Sequence, residues 1–146
     1  MSKVEDFLTS DEERSIVEAI QTAELNTSGE VRVHIENTTE LDHYDRALEV
    51  FHQLGMDQTQ LKNGVLIYLA VGDKNFVILG DEGINNIVPD GFWDKTKDLM
   101  LAQFKKNDFK QGLIDGILSA GEELKKHFPW ASDDTNELSN EISKGE

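Results

Sequence analysis

Apolar residues recur at helical spacing in four parts of the chain. Their spacing of three and four positions predicts helices over residues 11–25, 44–54, 92–104 and 109–124. The first helix follows the sequence SDEE at residues 10–13, in which a serine precedes a glutamate by three positions, as in a capping box. The pattern therefore indicates four amphipathic helices, each with one apolar face for a core.

Three further stretches have the patterns of β-strands. Residues 31–35 alternate apolar and polar side chains, which is the period of a strand with one drier face. Residues 65–71 are apolar almost without interruption, which indicates a central strand that is covered on both faces. The turn-forming sequence GDKN then leads into a shorter strand over residues 76–79, so these two strands form a predicted hairpin.

The order of these elements predicts the fold class. A helix connects the first two strands, and such a crossover normally makes them parallel, whereas the hairpin adds an antiparallel strand. We therefore predict an α/β fold, namely a three-layer α/β/α sandwich with a small mixed sheet and helices on both faces. A single domain is expected over residues 1–130. Residues 131–146 have few apolar groups and net negative charge, so we predict an acidic C-terminal tail there.

The predicted topology brings three polar turns to one end of the sheet. The hairpin returns the sequence GDEG at residues 80–83 to the start of the central strand, where a parallel first strand also begins. Glycines let backbone approach a ligand, and carboxylates supply the oxygen ligands of calcium or magnesium. For each single position a simple turn is the alternative, because Asp and Asn beside Gly commonly form turns. We predict metal ligation by Asp81 and Glu82, and ligand binding by Ser28, Glu30, Asn63, Gly64 and Gly83.

Composition and charge exclude several classes of function. The formal net charge is −15, from 29 acidic and 14 basic residues, so the chain repels phosphate backbones and we expect no nucleic-acid partner. No window approaches the roughly 18 apolar residues of a membrane helix, and we expect no membrane insertion. The absence of cysteine excludes thiolate metal sites and thiol nucleophiles. The first residues lack the features of a secretory signal, so we expect a cytoplasmic protein. We also expect a monomer.

The histidines and serines do not form a recognisable catalytic group. The four histidines lack the spacing of a ligand set, and we predict solvated or capping roles for them: His34, His43, His52 and His127. No serine follows the strand–turn–helix pattern of a nucleophile elbow. The GDEG sequence also lacks the lysine and hydroxyl residue of a phosphate-binding loop. A hydrolase triad and nucleotide binding by that route are therefore not supported.

Several short motifs occur in an order that is typical of one family. They are SGEVRV at residues 28–33, ALEVF at 47–51, NGVLI at 63–67, Asp73, and VILG at 77–80 followed by Gly83. With these motifs, the chain resembles the TPM domain family over about residues 5–128. The resemblance implies an α/β/α sandwich. It places Asn63, Gly64, Asp81 and Gly83 in the loops that frame the pocket proposed for the family, with Ser28 and Glu30 beside them.

The resemblance implies two classes of function. Some members of the family are described as acid phosphatases, and some bind divalent metal. One interpretation is therefore an accessory or binding module that recognises a divalent cation or a protein partner; the alternative is a weak, metal-assisted acid phosphatase. The net charge of −15 favours the binding module, because it repels an anionic substrate. We predict such a module, with calcium or magnesium as the expected ion.

Overall fold

The computed structural model describes residues 8–25, 27–59, 62–89, 91–129 and 142–144. In chain order, the elements are helix α1 (Ser10–Glu24), strand β1 (Glu30–Glu36), helix α2 (His43–Gln53), a 3-10 turn (Met56–Gln58), strands β2 (Gly64–Ala70) and β3 (Asn75–Gly80), helices α3 (Glu82–Asn85), α4 (Asp94–Phe104) and α5 (Phe109–His127), and strand β4 (Ser143–Lys144). All the predicted helices and strands are present. The sequence patterns did not predict the short elements α3 and β4.

Helix α1 begins with a capping box that lies one residue earlier than predicted. The Thr9 hydroxyl accepts a hydrogen bond from the Glu12 N–H at 3.1 Å, and the Glu12 carboxylate accepts one from the Thr9 N–H at 3.0 Å. The prediction that Ser10 is the capping residue was therefore wrong. Leu8, just before the cap, is buried and fixes the start of the helix against the core.

The sheet has four strands in the order β3, β2, β1, β4. Strands β1 and β2 are parallel along their full length, from Glu30 opposite Gly64 to Glu36 opposite Ala70. Strands β2 and β3 form the predicted antiparallel hairpin. The mixed sheet is thus confirmed, and it places the starts of β1 and β2 at the same end as the exit of β3.

Helices cover both faces of the sheet, as the α/β/α prediction requires. Alternate residues of β2, such as Val65 and Ile67, pack into a core with α1, α4 and α5. The residues between them, Leu66 and Tyr68, face a second core that α2 and the 3-10 turn provide. All seven residues of β2 are therefore buried. Burial of a large aliphatic side chain stabilises the folded state by about 1.5–3 kcal/mol. Strand β2 therefore contributes more to the stability of the core than the other strands of the sheet do.

Two glycines let the helices on one face approach closely. A Cβ atom at Gly121 of α5 would lie 2.7 Å from the Cβ of Ala23 and 2.9 Å from its backbone oxygen. A Cβ at Gly116 would lie 2.5 Å from the sulfur of Met100 in α4. The spacing of α5 from α1 and α4 therefore depends on the absence of side chains at these positions.

Strand β4 joins part of the predicted tail to the sheet. Its two residues pair in parallel with His34 and Ile35 of β1, and the neighbouring Ile142 packs on the main core. Most of the segment 131–146 lies outside the described residues, so the domain boundary at residue 130 stays a prediction. Among the helices that the structure describes, none combines the length and the apolar character needed to cross a bilayer.

Candidate functional site

Three segments that are distant in sequence meet where β1 and β2 begin. The Glu30 N–H donates to the Asn63 carbonyl at 3.4 Å, and the Asp81 N–H donates to the Gly64 carbonyl at 2.9 Å. We call the place formed by Glu30, Asn63, Gly64 and Asp81 the amino edge. The structure therefore shows the convergence that the predicted topology required.

Within the amino edge, Glu30, Gly64 and Asp81 form one row across the sheet. Glu30 pairs with Gly64, and Asp81 follows Gly80, which pairs with Val65. Residues that are opposite one another on neighbouring strands project to the same face. Because Gly64 has no side chain, none separates the two carboxylate residues in this row. Glu30 is 3% and Asp81 9% exposed, so both acidic residues are largely removed from water.

The two carboxylate oxygens of Asp81 have different surroundings. Oδ1 accepts the Glu82 N–H at 2.7 Å, and Asp81 thereby caps helix α3. Oδ2 is buried and has no hydrogen-bond partner among the described residues, and the same holds for Nδ2 of Asn63. An unsatisfied buried polar group costs about 1–3 kcal/mol and needs an explanation, such as an ion or water. At the amino edge, Oδ2 of Asp81 and Nδ2 of Asn63 are therefore available to bind a ligand.

The remaining predicted site residues have other surroundings. Glu82 and Gly83 lie in the single turn of α3 rather than in an open loop, and the Glu82 side chain is exposed. The Ser28 hydroxyl lies 3.5 Å from the Phe128 carbonyl at the end of α5, which also accepts the Ser28 N–H. Gly64 and Gly83 do not have positive φ angles; among the described glycines, these occur at Gly55 and Gly91.

A third carboxyl, which is partly buried and which the sequence patterns did not indicate, lies next to the amino edge. Oε2 of Glu24, at the end of α1, accepts the Val31 N–H at 2.9 Å. Burial is the main reason that the pKa of Glu24 is raised to about 7; the Val31 hydrogen bond opposes this rise, and the charge of Glu30 adds to it. The Glu24 carboxyl is thus poorly solvated, and the charge of Glu30 disfavours its ionised form.

A buried polar cluster lies at the opposite end of β1, and we call it the Glu36 network. Arg46 of α2 donates to both Glu36 oxygens, at 2.9 Å from Nε and 2.8 Å from Nη2. The Tyr68 hydroxyl donates to Glu36, and the His34 ring bridges Glu36 at 3.0 Å and Ser143 of β4 at 2.9 Å. Burial raises the pKa of Glu36, but the hydrogen bonds from Arg46, Tyr68 and His34 outweigh it and lower the pKa to about 2.

The Glu36 network changes the interpretation of the histidines. His34 is only 5% exposed, so the prediction of a solvated histidine was wrong. Burial lowers the pKa of His34, against the opposing effect of Glu36. His43 and His52 are more exposed and pair with Asp73 and Asp57 at 2.9 and 3.1 Å. In the network, every acceptor oxygen of Glu36 is satisfied, so its role is structural and it is not a free base.

A metal site made only from side chains is not preformed. Within the described ranges, no three His, Cys, Asp or Glu side chains come together as a ligand group. A cation at the amino edge would therefore take one or two carboxylates and complete its shell with neutral oxygens and water. Magnesium commonly binds in this way, and calcium also accepts carbonyl and amide oxygens. The amino edge contains a buried unpartnered carboxylate oxygen, at Asp81, and a buried amide, at Asn63, which are donor types that such an ion accepts.

The comparisons with known proteins identify the family. The sequence profile of the TPM domain matches residues 1–123. The BA42 protein from the psychrophilic bacterium Bizionia argentinensis, solved by NMR, is 61% identical and superposes with a TM-score of 0.92 over 99% of this chain and 100% of that one. A search of the curated proteins found no match.

Two more distant solved structures share the fold. The N-terminal domain of a P. gingivalis protein is 20% identical, with a TM-score of 0.68 over 84% of this chain and 79% of that one. The N-terminal domain of a Corynebacterium glutamicum protein is 14% identical, with a TM-score of 0.64 over 95% and 80%. The profile match and the 61% identical relative together show that the chain belongs to the TPM domain family.

Proposed function

We propose that this TPM domain is an accessory binding module that binds a divalent cation, calcium or magnesium, at the amino edge. The observation that carries the proposal is the Asp81 carboxylate, whose Oδ2 is buried without a partner among the described residues. The same carboxylate lies in one row with Glu30, across a glycine. A buried, unpaired carboxylate oxygen is costly unless something positive binds it.

Asn63, the chain neighbour of Gly64, is the proposed source of a neutral ligand. Its side chain is 1% exposed, and its Nδ2 has no partner in the described part of the chain. The oxygen and nitrogen of an amide are distinguished only by their hydrogen bonds. A half-turn of the amide presents Oδ1 instead, which is a ligand that calcium accepts. In this proposal, Asp81 provides the charge, Asn63 provides the oxygen, and water completes the coordination.

The charges around the amino edge favour cation binding over phosphate-ester chemistry. The net charge of −15 attracts cations to the chain and repels anionic esters. Lys62, which is adjacent to Asn63, donates its ammonium group to the Asp57 carbonyl and is thus held away from a phosphate-binding role. The alternative function, a weak metal-assisted acid phosphatase, needs the same ion but also a cationic group for the ester.

Thermal unfolding with and without calcium or magnesium tests the proposal. An ion at ten times its Kd stabilises the folded state by about 1.4 kcal/mol, and this raises the Tm by several degrees. Asp81→Asn should abolish the rise without unfolding the protein, because asparagine is also a good helix cap. Asp94→Asn, at an exposed position in α4, is the matched control and should retain the rise. Equal shifts in all three proteins, or none in the wild type, would contradict the proposal.

Hydrolysis of p-nitrophenyl phosphate separates the module from the alternative. We expect no turnover above background between pH 5 and 7, with or without magnesium. Turnover that disappears in Asp81→Asn, while that variant remains folded, would favour the phosphatase. Turnover that Asp81→Asn does not change would come from a contaminating enzyme.

A further inference from the structure

A cleft of about 300 Å³ lies between the β2–β3 turn and the α4–α5 turn, remote from the amino edge. Its walls are apolar: Leu69, Phe76, Leu101, Phe104 and Phe109. We call it the phenylalanine cleft. Concave, mainly aromatic surfaces with a few polar groups are typical of small-molecule sites.

The aromatic wall of the phenylalanine cleft is held in place by its own packing. The rings of Phe76 and Phe104 are edge-to-face at 5.2 Å, and those of Phe104 and Phe109 are 5.4 Å apart. Phe104 also lies directly over Gly112 of α5, where a Cβ atom would come within 2.3 Å of the ring. The three rings are nevertheless only partly buried, so apolar surface faces the cleft.

The charges at the rim are positive in a strongly acidic protein. The residues that line the cleft include Lys74 and Lys105 but, within the described ranges, no carboxylate. Neither lysine takes part in any of the ion pairs between described residues. The carboxylate of the neighbouring Asp73 is hydrogen-bonded to the Thr38 hydroxyl at 2.7 Å and to the His43 ring at 2.9 Å. The rim therefore combines two cationic groups with an apolar interior.

We propose that the phenylalanine cleft binds a small apolar molecule that carries one carboxylate. The rings and Leu101 take the apolar body, and Lys74 and Lys105 attract the carboxylate at the rim. At about 30 Å³ for each non-hydrogen atom, the cleft holds about ten such atoms, which is the size of octanoate. A molecule of this size is expected to bind with millimolar affinity.

Titration of the full chain with sodium octanoate, followed by ¹H–¹⁵N NMR, tests the proposal. The amide signals of Lys74, Phe76, Asn107 and Phe109 should move in a saturable way. Octanol has an alkyl chain of the same number of carbons but no charge. It should bind at least about fivefold more weakly than octanoate, because it lacks the attraction of the two exposed lysines for a carboxylate. Unchanged signals with octanoate, or equal binding of octanol, would overturn the proposal.

Two pairs of variants separate the apolar wall from the charged rim. Leu101→Gln should weaken octanoate binding, whereas Leu99→Gln, with a similar exposure of 39% against 42%, should not. Lys74→Glu combined with Lys105→Glu should weaken octanoate binding at least about fivefold and leave octanol binding unchanged. The control pair, Lys95→Glu with Lys125→Glu, changes the net charge equally at exposed sites outside the cleft. If this control weakens binding as much as the rim pair does, the site is not the phenylalanine cleft.

Discussion

Removal of Arg46 gives the most informative test of the Glu36 network. Arg46→Met keeps the aliphatic part of the side chain and removes the group that binds both oxygens of Glu36. Glu36 is 2% exposed, so its charge cannot recover solvation by turning outward. Removing one partner of a buried ion pair is far more costly than breaking a surface pair, because the other charge stays buried.

The magnitude follows from the pKa of Glu36. The folded-state pKa of about 2 lies below the ordinary value of 4.5, a difference of about 2.5 units at 1.36 kcal/mol each. The ionised carboxylate therefore contributes about 3 kcal/mol of stability above pH 4.5, and this is lost as the pH falls toward 2. Without Arg46, burial dominates and the pKa of Glu36 rises. We expect Arg46→Met to lower the free energy of unfolding by about 3 kcal/mol at pH 7. At pH 4, where Glu36 of the variant is protonated, this loss should be smaller by at least about 1 kcal/mol.

Urea unfolding at pH 7 and pH 4 measures both losses. Arg14→Met is the matched control, since it removes the same charge from an ion pair with Asp11 whose side chains are 71% and 91% exposed. The control should change the free energy of unfolding by less than about 0.5 kcal/mol at either pH. A loss below about 1 kcal/mol at pH 7 for Arg46→Met, or equal losses at the two pH values, would refute the reasoning.

Two further variants test other parts of the fold. The pKa of Glu24 is raised to about 7, so between pH 4.5 and 7 the folded protein binds more protons than the unfolded chain does. The free energy of unfolding should therefore fall by up to about 3 kcal/mol as the pH rises through that window. Glu24→Gln should remove this part of the decline in urea unfolding at pH 5 and pH 8; an unchanged slope would show that Glu24 titrates normally. Gly121→Ala should lower the free energy of unfolding by about 1–3 kcal/mol despite its better helix propensity, because the new methyl group meets the backbone of Ala23. A stabilised Gly121→Ala protein in thermal unfolding would mean that α1 and α5 can separate at no cost.

The sequence predicted those parts of the fold that depend on local periodicity. The unbroken apolar run of β2 predicted a strand covered on both faces, and all seven of its residues are buried. The predicted position of the capping box was wrong by one residue because Thr9 and Ser10 each precede a glutamate by three residues. In the structure, Thr9 and Glu12 make the two capping hydrogen bonds, and Leu8 beside them lies in the core.

The sequence could not predict features that depend on distant partners. The alternation in β1 predicted one polar face, yet His34 and Glu36 on that face are buried. Their partners Arg46, Tyr68 and Ser143 are 10, 32 and 109 residues away from the residues they contact. A polar residue in a strand pattern is thus predicted to be exposed unless the residues that satisfy its hydrogen bonds are known.

The candidate site was predictable in its location and only partly in its composition. Parallel pairing of β1 and β2 and the β2–β3 hairpin were enough to bring Glu30, Gly64 and Asp81 together. The sequence did not indicate that Glu82 begins the helical turn α3, where its side chain is exposed, so its role as a metal ligand stays a prediction. Glu24 was missed because it reaches the amino edge from the end of α1, which no spacing in the sequence indicates.

A calcium titration followed by ¹H–¹⁵N NMR tests the central claim, that the amino edge binds a divalent cation. We expect the amide signals of Glu30, Gly64 and Asp81 to move together, with one binding constant, in the wild type and to stay fixed in Asp81→Asn. If these three signals do not move at millimolar calcium, or if the largest changes occur around Asp73 at the other end of the sheet, the claim is contradicted.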